Sequence, residues 1–410
     1  MRITPMNRAF FKAGHPPTLL ASFLYFDLSF MIWVLLGPLG ISISRDLHLD
    51  PAQKGLLVGT PVLAGAFLRV VCGTLVDRFG PKKVAIACQL IVIAGLAVTW
   101  LAAPHSLAPL FGLALVLGLA GASFAIALPM ASAWYPPEYQ GTALGIAGAG
   151  NSGTALAALF APALAMKYGW LNVIGLATIP MTLVLILFVL IAREAPNRRP
   201  RQSLAAFLPL LKQLDCWRLM FFYMVTFGGF VGLASFLTIY FNDQYGLNPK
   251  TAGFCTAAVV FAGSFVRPFG GALADRIGGL RALTIVYVCA AAIFGVISTG
   301  LPTIELALGA FVLGMLFLGM GNGAVFQLVP NRFPAQVGAM TGLVGMAGGI
   351  GGFYLPTSLG LVRKYLGSYN MGFLAYAGLA VIALLVVLSC RRSWKTTHAA
   401  APADAVAQAA

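Results

Sequence analysis

The sequence predicts an all-α polytopic membrane protein, with twelve transmembrane helices in two pseudo-symmetric six-helix bundles. Three observations predict it. Hydrophobic residues make up 60% of the 410-residue chain and charged residues only 9%, a balance outside the range of soluble domains. Apolar runs of roughly 20 residues, the length that crosses a bilayer core, recur twelve times. One polar, basic segment divides them six and six, the layout of two related halves.

The elements follow in order. A tail, 1–18, carries Arg2, Arg8 and Lys12 ahead of an apolar run too long for the core of a cleavable signal. The first bundle, 19–192, holds six spans. Span 1 (19–43) contains the carboxylate Asp27. Span 2 (52–76) contains Arg69 and ends at Asp77-Arg78. Span 3 (83–103) starts after Lys82-Lys83, and span 4 (107–133) ends before Trp134-Tyr135-Pro136. Span 5 (141–166) is glycine-rich, and span 6 (170–192) stops at Arg193. The linker, 193–217, carries Arg198, Arg199, Arg201 and Lys212. The second bundle, 218–390, repeats the plan. Span 7 is 218–241, and span 8 (250–274) contains Arg267 and ends at Asp275-Arg276. Span 9 is 281–300, span 10 is 303–329, span 11 (337–361) is again glycine-rich, and span 12 is 368–390. A tail, 391–410, is Ala-rich after Trp394 and expected to be disordered.

Charge sets the expected orientation. With both termini cytoplasmic, the inner segments hold most of the basic residues. The outer ones hold only Arg45, Lys54, Lys167, Lys250, Arg363 and Lys364, as the positive-inside rule requires. The net charge of +15 is scattered through short loops, which argues against a nucleic-acid partner. Six cysteines show no CxxC spacing and read as buried thiols. The four histidines lie outside the spans or at their ends. No nucleophile, metal or nucleotide pattern stands out, so no enzyme activity, cofactor or metal is expected.

Two arginines sit where a charge is costly. Arg69, Gly73, Asp77, Arg78 and Gly80 recur as Arg267, Gly271, Asp275, Arg276 and Gly278 at a constant offset of 198 residues. Each arginine lies eight residues before the end of its span. At about 1.5 Å per residue that is ~12 Å deep, near the middle of a ~30 Å core. An ionisable group there is a functional-site hypothesis by default. Asp27 is the one carboxylate clearly inside a span and cannot neutralise two guanidiniums, so the missing negative charge is read as a substrate anion. Arginine stays charged when buried, and its planar fork of donors suits an oxyanion. Asp27 itself either pairs permanently with an arginine or takes up a proton.

The loops Gly73-x3-Asp77-Arg78-x-Gly80 and Gly271-x3-Asp275-Arg276-x-Gly278 resemble the repeated loop motif of the major facilitator superfamily, and with twelve spans the resemblance covers nearly the whole chain. Within it, Phe67-Leu68-Arg69, Phe265-Val266-Arg267-Pro268, the run from Gly145 to Gly153 and the run from Gly345 to Gly352 resemble the nitrate/nitrite porter family. The resemblance implies transport of nitrate or nitrite across the cytoplasmic membrane by a monomer. It implies an anion held by Arg69 and Arg267, boxed by Phe124, Tyr223 and Phe227, with Asn151, Asn322 and Gln327 as further ligands. Asp77, Arg78, Asp275 and Arg276 would form gating loops on the inner side. Spans 5 and 11 would make close, sliding contacts within each half. Asp27 tips the expectation slightly toward proton symport over exchange of nitrate for nitrite. The rival readings are a porter for a phosphate or carboxylate compound, and an anion sensor that does not transport.

Overall fold

The computed structural model describes residues 8–196 and 207–399; the expectations for Arg2, Arg198, Arg199 and Arg201 lie outside the described residues. Twelve helices long and apolar enough to cross a membrane follow one another. The first six are Pro16–Asp46, Pro51–Phe79, Pro81–Ala102, Leu107–Ser132, Thr142–Tyr168 and Trp170–Ile191. The second six are Leu214–Tyr245, Pro249–Ile277, Gly279–Ile297, Ile304–Arg332, Val337–Leu366 and Asn370–Arg391. We number them spans 1 to 12. Their outer faces carry large exposed apolar side chains such as Leu101, Leu190 and Phe269, the surface a bilayer would cover.

Local chemistry sets the ends. Asp50 caps span 2 with a reciprocal pair: its carboxylate accepts from Gln53 N at 2.9 Å, and Gln53 Oε1 accepts from Asp50 N at 3.0 Å. Asn248 caps span 8 with one bond, its Oδ1 accepting from Thr251 N at 2.9 Å. The repeated glycines explain the paired loop motifs. Gly80 and Gly278 turn the chain from spans 2 and 8 into spans 3 and 9 at φ +91° and +90°, a region that costs an L side chain dearly and glycine little.

Five spans are not single helices. Span 1 divides after Trp33 and resumes at Leu36, span 4 divides around Ala122-Ser123, and span 6 divides at Ala177. Span 8 divides at Val266, just before Arg267-Pro268; Pro268 has no N–H to continue the ladder. In span 5 the stretch Ala149–Ser152 tightens into a 3₁₀ turn inside the glycine-rich run.

Two boundaries differ from expectation. The last helix runs on to Ala399, so the residues after Trp394 that were expected to be disordered are helical as far as they are described. Span 7 starts at Leu214, inside the stretch expected as linker. One cluster explains both. Asp215 in the first turn of span 7 pairs with Arg218 and Arg332 at 2.9 and 2.5 Å. It also accepts from Trp394 Nε1 at 3.0 Å, and Arg332 lies 5.0 Å from the Trp394 ring.

The halves meet most closely away from the termini. Span 2 runs along span 11, with Gly55 against Pro356 and Gly360, Gly59 against Phe353 and Thr357, and Ala66 against Gly349. Gly253 of span 8 packs on Ala158 and Pro162 of span 5. Two ion pairs join the halves at that far side, Lys54–Asp243 at 3.2 Å and Lys364–Asp50 at 3.0 Å. Toward the termini, Gly73, Gly145 and Gly148 would meet nothing within 4 Å if given a Cβ. Among the described contacts, the halves thus meet on the side away from the termini. In span 5, Gly150 and Gly153 press on span 1 of the same half, the close part of the contact expected there. Span 11 differs: Gly349 and Gly360 face span 2 of the other half, while Gly351 faces span 7 of its own. A helix wedged between two neighbours needs small residues on both faces.

Candidate functional site

Span 2 delivers Arg69 to the middle of the bundle, where it is 2% exposed. Its Nε donates to the Gly121 carbonyl at 3.0 Å and its Nη1 to the Gly345 carbonyl at 2.8 Å. Gly121 closes the first segment of span 4, so the break there helps leave that carbonyl free for a side-chain donor. Gly345 belongs to span 11 of the other half. Arg69 therefore bridges the halves. Its Nη2 is buried without a hydrogen-bond partner.

Arg267 begins the second segment of span 8, and its Nη1 is also buried without a partner. One ring lies beside both guanidiniums: Phe124 is 5.6 Å from Arg69 Cζ and 5.9 Å from Arg267 Cζ. Tyr223 and Phe227 stack at 4.9 Å with 6° between planes, as their i, i+4 spacing on span 7 allows. Phe227 lies 5.2 Å from Arg69 Cζ, and the Tyr223 hydroxyl faces Arg267. Gly348 makes room for this pair, since a Cβ there would come within 2.6 Å of the Tyr223 ring.

Further polar atoms are left over. Asn151 is 1% exposed on the 3₁₀ turn of span 5, with Oδ1 unpartnered; Asn322 is 0% exposed, with both Oδ1 and Nδ2 unpartnered. The turn carrying Asn151 packs against span 8. Asn322 lies between Gly321, which rests on Thr226, and Gly323, which rests on the Arg267 carbonyl. An unpaired buried polar group costs about 1–3 kcal/mol, and several in one region mark a place built for a polar guest.

Two expected residues stand apart from this cluster. Gln327 Oε1 is buried against Gly279 at the start of span 9. Asp27 is half-buried and accepts from Ser152 Oγ at 2.7 Å; among the described residues no ion pair joins it to an arginine. Arg78 is exposed beside Phe79, 5.2 Å from its ring.

The sequence reading missed Trp33, Phe30 and Phe326. Trp33 and Phe30 lie 4.9 and 5.9 Å from Arg69 Cζ, and Phe326 lies 5.6 Å from Arg267 Cζ. Phe326 also meets Tyr223 edge-on at 4.9 Å. The only signal available was Phe326 following Asn322 at i+4 on the same face.

Two bundles of six helices around a buried, cation-bearing centre define the class: a membrane transporter of the major facilitator type. The superfamily's profile matches residues 19–356, and the chain belongs to the Major Facilitator Superfamily, a family of transporters and not of enzymes. Within it the chain belongs to the nitrate/nitrite porters. It is 33% identical to a nitrite extrusion protein of Bacillus subtilis (strain 168), covering 88% of this chain and 90% of that one. It is 35% identical to the probable nitrate/nitrite transporter NarK2 of Mycobacterium tuberculosis, covering 87% and 91%. It is also 33% identical to the probable nitrate/nitrite antiporter NarK1 of Thermus thermophilus, covering 89% of each. Among solved structures, a bacterial homolog of the human lysosomal transporter Spinster, inward-facing and occupied, shares the fold at a TM-score of 0.70 and 20% identity over 91% of this chain and 96% of that one.

Proposed function

We propose that this chain carries nitrate or nitrite across the cytoplasmic membrane by alternating access, with Arg69 and Arg267 holding the anion. The observation that carries the reading is the pair of buried guanidinium nitrogens, Arg69 Nη2 and Arg267 Nη1, that lack partners beside one shared ring. A small flat anion between two donor forks gains charge-assisted hydrogen bonds. The stacked rings of Tyr223 and Phe227 and the ring of Phe124 beside both guanidiniums offer flat apolar faces that suit a planar guest. Asn151 and Asn322 supply neutral donors. A doubly charged phosphate compound would be expected to draw in more cations than the described site holds. The relatives named as nitrate/nitrite transporters support the substrate, and the contact of the halves on the far side supports a state open to the cytoplasm, with both termini on that side.

Asp27 supports proton coupling: it is a half-buried carboxylate inside a span, held by the Ser152 hydroxyl and the Gly153 backbone N–H and, among the described residues, by no arginine ion pair. The relative named an antiporter favours a second reading, exchange of nitrate for nitrite. Proteoliposomes separate the two. Uptake of labelled nitrate driven by an inward proton gradient and lost in Asp27→Asn supports symport; uptake that needs trapped nitrite supports exchange. In either case Arg69→Lys and Arg267→Lys are expected to cut uptake at least about thirtyfold, the equivalent of ~2 kcal/mol of fork geometry. Wild-type uptake in both variants, or no nitrate uptake by folded wild type, would sink the reading.

A further inference from the structure

Arg69 has aromatic rings beside its charge and, among the described residues, no ion-paired carboxylate. Its Cζ lies 4.9 Å from Trp33, 5.2 Å from Phe227, 5.6 Å from Phe124 and 5.9 Å from Phe30. Phe124 and Phe227 belong to the anion box. Trp33 does not: it is 0% exposed and is locked on several sides. Its Nε1–H donates to the Pro61 carbonyl at 2.8 Å, and Phe30 packs on it at 4.8 Å. Gly65 and Gly121 make its slot; a Cβ on Gly65 would lie 2.8 Å from Nε1, and one on Gly121 would also collide with the indole. Gly121 is the same residue whose carbonyl accepts Arg69 Nε.

The chemistry of that arrangement is specific. A carboxylate beside Arg69 would steady the charge but also fill the donor fork, and so compete with substrate. An indole face attracts the cation through its quadrupole and offers no oxygen to the N–H groups. We propose that Trp33 is the positioning residue of Arg69. It stabilises the guanidinium and fixes it against the Gly121 carbonyl, and so keeps Nη2 available for the anion. This rests on the reading of Arg69 as an anion ligand.

The test uses the full chain in proteoliposomes and nitrate as the probe, with calorimetric binding beside transport. Trp33→Leu is expected to raise both KM and Kd for nitrate about tenfold, with the maximal rate within about twofold of wild type. Trp33→Phe keeps an aromatic face and is expected to recover most of that loss, to within about threefold of wild type. Where Trp33→Leu does not fold, Gly65→Ala, which crowds the indole with one methyl group, takes its place with the same expected rise in KM. An unchanged KM and Kd in these variants, or an equal fall in maximal rate for Leu and Phe at unchanged KM, would overturn the assignment and leave Trp33 a packing residue. Arg69→Lys, run in parallel, separates the two layers. Wild-type behaviour there overturns the anion-ligand reading itself, whereas an impaired Arg69→Lys beside a normal Trp33→Leu overturns only the role of Trp33.

Discussion

Asn322 is fully buried in span 10, and neither its Oδ1 nor its Nδ2 meets a partner. Replacing it with leucine, of similar size, removes two unsatisfied polar atoms. Asn322→Leu is therefore expected to raise thermal stability by about 1 kcal/mol while lowering nitrate uptake several-fold. Melting curves and uptake on one preparation check both signs, and a loss of stability together with uptake would make Asn322 an ordinary structural residue. At this scale the sequence was informative only where a residue violated its surroundings. Arg69 and Arg267 stood out because charge is rare inside a span, and their common offset tied them together. Trp33 and Phe326 violate nothing, since an aromatic in an apolar helix is usually packing. Their nearness to the arginines comes from other spans and is invisible along one chain segment.

The seam between spans 2 and 11 is built from glycine and backbone. A Cβ on Gly349 would lie 2.6 Å from the Ala66 side chain, so Gly349→Ala is expected to strain the far-side contact by about 1–3 kcal/mol. Transport should fall while labelling of a cysteine at the far side rises; unchanged labelling would show that the seam tolerates the methyl. The cap of span 2 adds a pH dependence. The Gln53 backbone N–H, and after it Lys364, holds the Asp50 carboxyl below its ordinary value. A depressed carboxylate contributes stability that is complete above its unfolded pKa, about 3.9, and is lost as pH falls through the lower folded value. Melting of wild type should thus lose stability relative to Asp50→Asn on acidification below about pH 4, and parallel curves would contradict it. All twelve spans were legible from run length, and Gly80 and Gly278 from their repeat. The breaks in spans 1, 6 and 8 each come just before a proline, Pro38, Pro180 and Pro268, which cannot continue the ladder, whereas no proline or charge stands beside the break in span 4.

For the whole molecule, the ion pairs of the far side bear on which way the transporter faces. Lys54–Asp243 is supported by Tyr369, whose hydroxyl donates to Asp243 at 2.9 Å. Lys54→Asp would set two carboxylates face to face and favour the opposite, far-side-open state. The swap of Lys54→Asp with Asp243→Lys should restore part of the lost transport, by the logic of a double-mutant cycle. No recovery in the swap, with both proteins folded, would remove this pair from the gate. The sequence could not have shown on which side the halves meet, because the same residues form either seam and only their contacts differ.

The glycine seam has a further consequence. Glycine and alanine have no rotamers to lose on burial, whereas a long side chain forfeits up to about 2 kcal/mol of conformational freedom. The contacts of Gly55, Gly349 and Gly360 with Ala66, Pro356 and one another therefore close without freezing flexible side chains at those points. A surface that loses so little entropy when it shuts can have a small free-energy difference between shut and open without giving up tight fit. Its balance should shift little with temperature compared with a gate built of charged side chains, and among the described residues two Lys–Asp pairs stand at its rim.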